Sequence, residues 1–351
     1  MAPPNTRRLI AVLAGLVLVL GAGEFVIRQW LESPSLAIPD ARFGWVLPPH
    51  ARVVHSSEGY SVSTTNALGL FDDELRTPRP RLRALLLGDS YSEALQVPRK
   101  QNFSSVAERL VPGLEVVNSG LSGRSPGEYA DYLELEGPRL EPDLVIVQVN
   151  DGDIEDLLRW WDLHGPRPAS TAAGDVRRQA NPRFPRPAAM ARQAFRSSAL
   201  ITVVVRRFRR LIEDQRGRLA SRFGRVPPAE AAEASLAGPL DPRLDLILDN
   251  VMGRIEAAGK PVILVYIPHL DYFAPGCPVQ LPARQAFFRR YARRHQLVFI
   301  DPSDEFRSEF ERTHQPRHGF QNSVMGSGHI NAPGHEVLGG LLARAIVAET
   351  R

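Results

Sequence analysis

The amino-acid sequence predicts an α/β fold in which a buried parallel sheet is covered by helices and preceded by a transmembrane helix. From residue 81 onward, short and mainly apolar runs without a polar–apolar alternation are interspersed with segments of helical spacing, a pattern typical of strands buried on both faces of a parallel sheet. The 351-residue chain is 43% hydrophobic and 23% charged, which excludes a protein disordered throughout. Its single cysteine, Cys277, excludes a disulfide framework and any multi-cysteine metal site.

The first thirty residues predict a membrane anchor. Two arginines precede a segment that is apolar from Leu9 to Ile27 except for Glu24, and a helix of this length spans about 28 Å, close to the thickness of a hydrocarbon core. Positive charges before a span hold the N-terminus in the cytoplasm. We therefore expect a single-pass protein of the cytoplasmic membrane whose main domain faces the periplasm or the outside. A cleaved signal peptide ending at Gly21–Gly23 is the alternative interpretation.

Residues 31–80 are rich in Pro, Ser, Thr and Asn with only short β-like runs, so we expect a tether with irregular edge structure. Residues 81–351 form the main domain, which a helical insertion interrupts at about 160–241. The insertion carries an apolar stripe from Ile201 to Leu219 opposite an arginine-rich face. It is interpreted either as a lid packed on the core or as a second membrane contact. The arginines on that face are Arg206, Arg207, Arg209 and Arg210.

The elements of the main domain alternate along the chain. We predict strands at 83–88, 114–118, 143–149, 261–267 and 297–300, with helices at 102–110, 126–140, 283–295 and 333–347. Ligands of an open parallel sheet bind outside the carboxyl ends of its strands. The residues that follow each strand are therefore the candidates for a functional site.

Polar residues stand at three of these strand ends and before the last helix. Gly88-Asp89-Ser90 closes the first strand, and Ser90 becomes a nucleophile if an imidazole lies within hydrogen-bond distance. Gly123 and Asn150, at the next two strand ends, can each aim an N–H at a developing oxyanion. His329 lies in a glycine-rich loop before the last helix. Each residue alone is also ordinary turn or cap chemistry; their order along the chain is what indicates a site.

These blocks, Gly-Asp-Ser, Gly, Asn-Asp and His-x-Asn-x-x-Gly, resemble those of the SGNH/GDSL hydrolase family from about residue 83 to 347. The stretch 65–70, Thr-Asn-Ala-Leu-Gly-Leu, is also similar to a segment common in bacterial members. The resemblance implies a flavodoxin-like three-layer fold of the SGNH type, with Ser90 as nucleophile and His329 as base. It further implies an oxyanion hole made by the N–H groups of Ser90 and Gly123 and the side-chain amide of Asn150.

Two positions depart from the family pattern. Gln148 stands where the third block usually has glycine, and Gly326 stands where the family has its aspartate, three residues before His329. A histidine without that acid loses the partner that orients its ring and stabilises its charged form. Either Ser90 and His329 act as a dyad, or another group orients the ring. The candidates for that group are Ser327, a backbone carbonyl, Asp301 and Asp304.

The sequence thus predicts a membrane-tethered serine ester hydrolase or O-acyl transferase that acts on envelope carbohydrate or lipid esters. The alternative is a catalytically degenerate SGNH-fold envelope protein that binds glycan without turnover, for which the missing aspartate is the main support. We predict no cofactor and no metal, because His314 and His318 lie four residues apart with no third ligand in sequence range. We predict no nucleic-acid partner, because no RNA- or DNA-binding motif accompanies the basic insertion.

Overall fold

The computed structural model describes residues 4–34, 36–165, 198–205, 208 and 238–350. Helix α1 (Pro4–Val26) continues into a π-helical turn, and two short antiparallel hairpins follow, β1–β2 and β3–β4. The hairpin strands are β1 (Ile38–Asp40), β2 (Gly44–Val46), β3 (Arg52–His55) and β4 (Ser61–Thr64). The core strands are β5 (Leu82–Leu87), β6 (Leu114–Asn118), β7 (Leu144–Asn150), β8 (Val262–Ile267) and β9 (Val298–Ile300). The helices are α2 (Ser90–Glu93), α3 (Phe103–Leu110), α4 (Pro126–Leu140), α5 (Asp153–His164), α6 (Leu244–Glu256), α7 (Pro282–Arg294), α8 (Ser303–Thr313) and α9 (Ala332–Glu349).

The five core strands form one parallel sheet in the order β6-β5-β7-β8-β9. Numbered along the chain within the sheet, this order is 2-1-3-4-5, which is the flavodoxin-like arrangement. The predicted fold class is therefore confirmed. The strand order reverses between β5 and β7, so the crevice above these two strands is where such sheets bind ligands.

The sheet is buried on both faces by helices. Every residue of β6, β7 and β8 is buried, and successive side chains alternate between two apolar cores. One core contains residues of α4, α5, α6 and α7, including Tyr129, Leu157 and Phe288. The other contains residues of α3, α8 and α9, including Phe103 and Leu342. This arrangement makes the three layers and fixes the strand ends that position the site.

The structure differs from the sequence prediction in two places. Residues 31–80 were expected to be a tether with irregular edge structure and short β-like runs; within them the chain forms the two hairpins, which pack against the main domain through a small apolar cluster that includes Leu47, Val53, Phe71 and Leu121. Helix α5 continues to His164, so the insertion begins a few residues later than predicted, and α6 begins at Leu244, just after its predicted end. The part of the predicted stripe after residue 208, and the four arginines opposite the stripe, fall outside the described residues.

One helix, Arg8–Leu31, is long and apolar enough to cross a membrane, and it is not buried inside the protein. Glu24 lies within it and accepts hydrogen bonds from the Ser198 hydroxyl at 2.8 Å, the Ala199 N–H at 2.9 Å and the Leu200 N–H at 2.8 Å. These residues begin the helical stretch 199–205 of the insertion. The carboxylate therefore caps the start of that stretch, and the beginning of the insertion helix contacts α1.

Candidate active site

Ser90 lies at the carboxyl end of β5, where the chain turns into α2. The Asp89 carboxylate accepts a hydrogen bond from the Tyr91 N–H at 3.0 Å and so caps this short helix. The turn is tightly packed, because a Cβ added to Gly88 would come within 2.2 Å of the Ser92 hydroxyl oxygen. Glycine at this position lets Ser90 project into the crevice above the sheet.

The structure brings together the two residues that the sequence predicted as a pair. The Nε2 atom of His329 lies 2.9 Å from the hydroxyl oxygen of Ser90, although 239 residues separate them in the chain. This distance is within the range required for a general base to take a proton from a nucleophile. The ring of Tyr91 packs against the imidazole, with the two ring centroids 4.7 Å apart.

This chain lacks the family's aspartate before His329, and in the structure the carboxylate that contacts the imidazole is Glu58, in the loop between β3 and β4. Its Oε2 atom lies 2.6 Å from Nδ1 of His329, and its Oε1 atom accepts the backbone N–H of the same residue at 3.0 Å. Glycine at position 328 permits this approach, since its φ is +86° and an added Cβ would lie 2.3 Å from Oε1 of Glu58. The two bonds fix both the ring and the backbone of His329.

Glu58 is held in its charged form. Burial alone would raise the pKa of this carboxyl, but the hydrogen bonds and positive charge offered by His329 outweigh burial and lower the pKa below its ordinary value. A carboxylate facing Nδ1 places the ring proton on Nδ1, which leaves Nε2 as an acceptor toward Ser90. This is the tautomer that a general base requires.

The sequence offered Asp301 and Asp304, just after the last core strand, as the acid that orients His329. The structure pairs both with other residues. The Asp301 carboxylate accepts hydrogen bonds from the Gln285 side chain at 2.8 Å and from the Arg289 guanidinium at 2.5 Å. Asp304 is exposed and pairs with Arg307 at 2.8 Å. Ser327 donates its backbone N–H to Val324, and within the described part of the chain no hydrogen bond joins it to His329. The contact with Nδ1 is made instead by Glu58, from the segment that the sequence suggested was a tether.

Gly123 lies on the same side of the sheet, in the loop after β6. Its φ is +82° and the space beside its Cα is open, so its backbone can approach a ligand closely. Ser90 begins α2, where a helical N–H has no partner within its own helix. Among the described residues, neither N–H of this pair is bonded to an acceptor. Both are therefore available to stabilise an oxyanion.

The side-chain amide of Asn150 was predicted as a third oxyanion donor, but in the structure it is occupied. Its Nδ2 donates to Asp89 at 2.9 Å and to Asp153 at 3.1 Å, while its Oδ1 accepts the Gly152 N–H at 2.7 Å. Burial raises the pKa of both carboxyls that it contacts. Asn150 thus orders the turn that carries Ser90, and reaching an oxyanion would require it to release the Asp89 bond.

Gln148, the other departure from the family pattern, is fully buried beneath this turn. Its Oε1 accepts the Ser92 hydroxyl at 2.9 Å and the Asp89 N–H at 3.2 Å. A Cβ on Gly88 would come within 2.7 Å of the same oxygen. The glutamine side chain, which is larger than the glycine usual at this position of the family pattern, therefore packs beneath the turn that carries Ser90.

Glu93, at the end of α2, holds the loop that carries Gly123. Its Oε2 accepts the Ser122 N–H at 3.0 Å and also the Ser122 hydroxyl. Complete burial raises the pKa of this carboxyl to about 7, against which the bonds from Ser122 act only in part. The sequence offered no signal for this contact, because Glu93 lies in the short helix after Ser90 and belongs to none of the motif blocks.

A second histidine chain adjoins the site. Asp151 lies 3.1 Å from Nδ1 of His269, and Nε2 of the same ring lies 3.0 Å from the hydroxyl of Tyr91. The Tyr91 hydroxyl also reaches the carbonyl of Gly328 at 3.4 Å. These contacts fix Tyr91 against the loop that carries His329. They depend on His269, which follows β8 and was not among the residues predicted from the sequence.

A cleft of about 930 Å³ opens above Ser90 and His329. One wall comes from the main domain and the other from the segment after the N-terminal apolar helix, including Glu32, Ser33, Trp45 and Val53. The cleft therefore extends from Ser90 and His329 to the end of that helix. Among the described residues, no group of three or more His, Cys, Asp or Glu side chains is placed to hold a metal ion; His318 is buried and bonds the Tyr272 hydroxyl at 2.7 Å.

Comparisons with known proteins identify similar solved structures. A member of the lipolytic protein G-D-S-L family from Veillonella parvula DSM 2008 is 11% identical, with a TM-score of 0.40 over 76% of this chain and 98% of that one. The acetyl xylan esterase AlAXEase is 11% identical, with a TM-score of 0.41 over 76% and 100%. The lipase/acylhydrolase from Enterococcus faecalis is 14% identical, with a TM-score of 0.37 over 76% and 96%. No family model and no curated protein matches the chain.

Proposed function

We propose that this protein is a membrane-tethered SGNH/GDSL-type serine ester hydrolase in which Ser90, His329 and Glu58 act as a triad. The observation that carries the proposal is the continuous chain of contacts from the serine hydroxyl through both imidazole nitrogens to a carboxylate, at 2.9 and 2.6 Å. Nucleophile, base and orienting acid in this order are the constellation of acyl-transfer enzymes. The general activity is hydrolysis of carboxylic esters.

The reaction follows from these positions. Nε2 of His329 takes the hydroxyl proton as the Ser90 oxygen attacks the ester carbonyl, and the N–H groups of Ser90 and Gly123 bind the resulting oxyanion. When the tetrahedral intermediate collapses, the protonated imidazole gives its proton to the leaving alcohol and an acyl-serine remains. Water, deprotonated by the same imidazole, then attacks the acyl carbonyl. As this second tetrahedral intermediate collapses, the bond between the acyl carbon and the Ser90 oxygen breaks, the imidazolium returns its proton to that oxygen, and a carboxylic acid is released. A sugar hydroxyl in place of water would make the second half an O-acyl transfer.

The substrate class we propose is an ester-bearing carbohydrate or lipid of the cell envelope. The cleft is large enough for more than an acyl group, and its wall begins at the end of the anchor helix. An ester near the membrane surface is therefore the substrate within reach. The alternative is a binding protein without turnover, which the missing aspartate favours; the contact between Glu58 and Nδ1 of His329 supports the enzyme instead.

A fluorophosphonate probe tests the proposed nucleophile directly. We expect the full-length protein to be labelled in detergent, because the probe reacts with a serine activated by an adjacent base. Labelling should disappear in Ser90→Ala and persist in Ser327→Ala, a serine in the histidine loop. An unlabelled wild-type protein would contradict the proposed esterase and favour the binding alternative.

We further propose that α1 and the π-helical turn remain as a single-pass anchor, with the main domain on the outer side of the cytoplasmic membrane. Arginines precede the apolar helix, and such residues stay on the cytoplasmic side. The end of the same helix bonds to the β3–β4 hairpin, as expected of a segment that belongs to the mature protein.

Membrane retention is the corresponding prediction. We expect carbonate washing to leave the protein in the membrane fraction, since a spanning helix is not released by removing peripheral contacts. A reporter that functions only in the cytoplasm should be inactive when fused to the C-terminus. A soluble mature form whose first residue lies near Glu24 would show that the helix is a cleaved signal.

A further inference from the structure

The end of the anchor helix is hydrogen-bonded to the hairpin that carries Glu58. The Ser33 N–H donates to the Val54 carbonyl at 2.7 Å, and the Val54 N–H donates to the Ser33 hydroxyl at 2.8 Å. Further back, the Arg52 guanidinium donates to the Gln29 carbonyl at 2.8 Å. The chain that leaves the membrane helix therefore lies along β3 and bonds to alternate positions of that strand.

Glu32 extends this contact into the loop that follows β3. Its Oε2 accepts the Ser56 N–H at 3.1 Å, and its Oε1 lies 3.8 Å from Nδ1 of His55. The side chain is only 6% exposed, so water does not compete strongly for these contacts. Ser56 stands two residues before Glu58, and no regular strand pairing holds the backbone between them.

The opposite side of the same loop is held by the main domain. The Asn322 side chain donates to the Ser56 carbonyl at 2.9 Å and to the Gly59 carbonyl at 2.8 Å, and it accepts the Gly59 N–H at 2.8 Å. The peptide groups of Ser56 are thus bound on one side by Glu32, from the anchor, and on the other by Asn322. Glu58 lies between these two attachments.

We propose that Glu32 is a positioning residue for Glu58, so that the segment leaving the membrane is part of what places the acid against His329. The inference rests on the proposed role of Glu58 as the acid of the triad. Glu32 contacts neither His329 nor Ser90 through any bond described above, and it acts through the loop 55–58. A small displacement of a catalytic group costs a large factor in rate, so loosening this loop lowers turnover without removing any reacting atom.

The test is Glu32→Gln in the full-length protein, assayed in detergent micelles with a soluble chromogenic ester. We expect kcat to fall about tenfold while KM changes less than about twofold. We expect no further fall when Glu32→Gln is added to Glu58→Gln, because the loop then carries no acid to position. Hydrogen exchange at residues 55–60 should rise by about tenfold in Glu32→Gln. The matched control is Arg52→Gln, which breaks a contact of the same interface further from Glu58 and should keep wild-type kcat.

Three results would overturn the proposal. Wild-type kcat in Glu32→Gln, while Glu58→Gln is impaired, would show that the acid is positioned without the anchor. Equal losses from Glu32→Gln with and without Glu58 would indicate a general effect on the fold. Wild-type kcat in Glu58→Gln would overturn the triad itself, and with it the role of Glu32; that result identifies the failure as one of the proposed function.

Discussion

Alanine at Ser90 is expected to lower kcat for ester hydrolysis by on the order of 10⁶, close to complete loss. His329→Ala should cost a similar factor, because nucleophile and base act as one unit and removing either stops the same step. The double variant should be no slower than either single variant. Initial rates with a soluble chromogenic ester measure all three, with KM determined separately so that turnover is compared.

The matched control for this pair is Ser327→Ala, which changes a serine of the histidine loop; in the described part of the chain no hydrogen bond joins this serine to His329. Its kcat should stay within about twofold of wild type. Retention of more than about one per cent of wild-type turnover in Ser90→Ala would contradict the nucleophile assignment.

Glu58→Gln is expected to lower kcat by about 10⁴, with little change in KM. The amide keeps the size of the side chain but removes the charge that stabilises the imidazolium, and it can donate to Nδ1 and impose the wrong tautomer. Steady-state kinetics of the purified full-length variant test this expectation. A melting curve should accompany them to show that the hairpin still packs.

Asp304→Asn is the control for Glu58→Gln, because it neutralises the exposed acid that sequence reasoning had favoured. Its kcat should equal that of wild type. The reverse outcome, an impaired Asp304 variant and an unimpaired Glu58 variant, would restore a distant acid and contradict the triad.

The family resemblance implies the pairing of Ser90 with His329, and the predicted fold agrees with it. Each core strand is a short run of apolar residues, and a parallel sheet brings the carboxyl ends of its strands to one edge. Ser90 follows β5 and His329 precedes α9. Once both elements are predicted from their patterns, the two residues are expected on the same side of the sheet. The strand order that places them at the switch point is confirmed by the structure.

Glu58 could not be predicted in the same way. It lies 271 residues from its partner, in a hairpin outside the sheet, and nothing in its spacing links it to His329. Its loop is held by hydrogen bonds of Ser56 with Glu32 and of Ser56 and Gly59 with Asn322, and such contacts have no periodic signature. Asn150 shows a different limit of the sequence. The motif predicts its place at the carboxyl end of β7, but not that its amide hydrogens are bound by the carboxylates of Asp89 and Asp153, which only the packed structure brings near it.

The contact between Glu24 and the insertion has a consequence for biosynthesis. The carboxylate and its partner Ser198 are 174 residues apart, and at about 5–20 residues per second a ribosome needs roughly 10–35 seconds to make the intervening chain. Arg28, which lies one helical turn on and 2.8 Å from Glu24 in the folded protein, is already synthesised at that stage and can pair with the carboxylate. In the proposed anchored state, the apolar helix therefore enters the bilayer with a locally paired charge and gains its final cap only when the insertion has been translated.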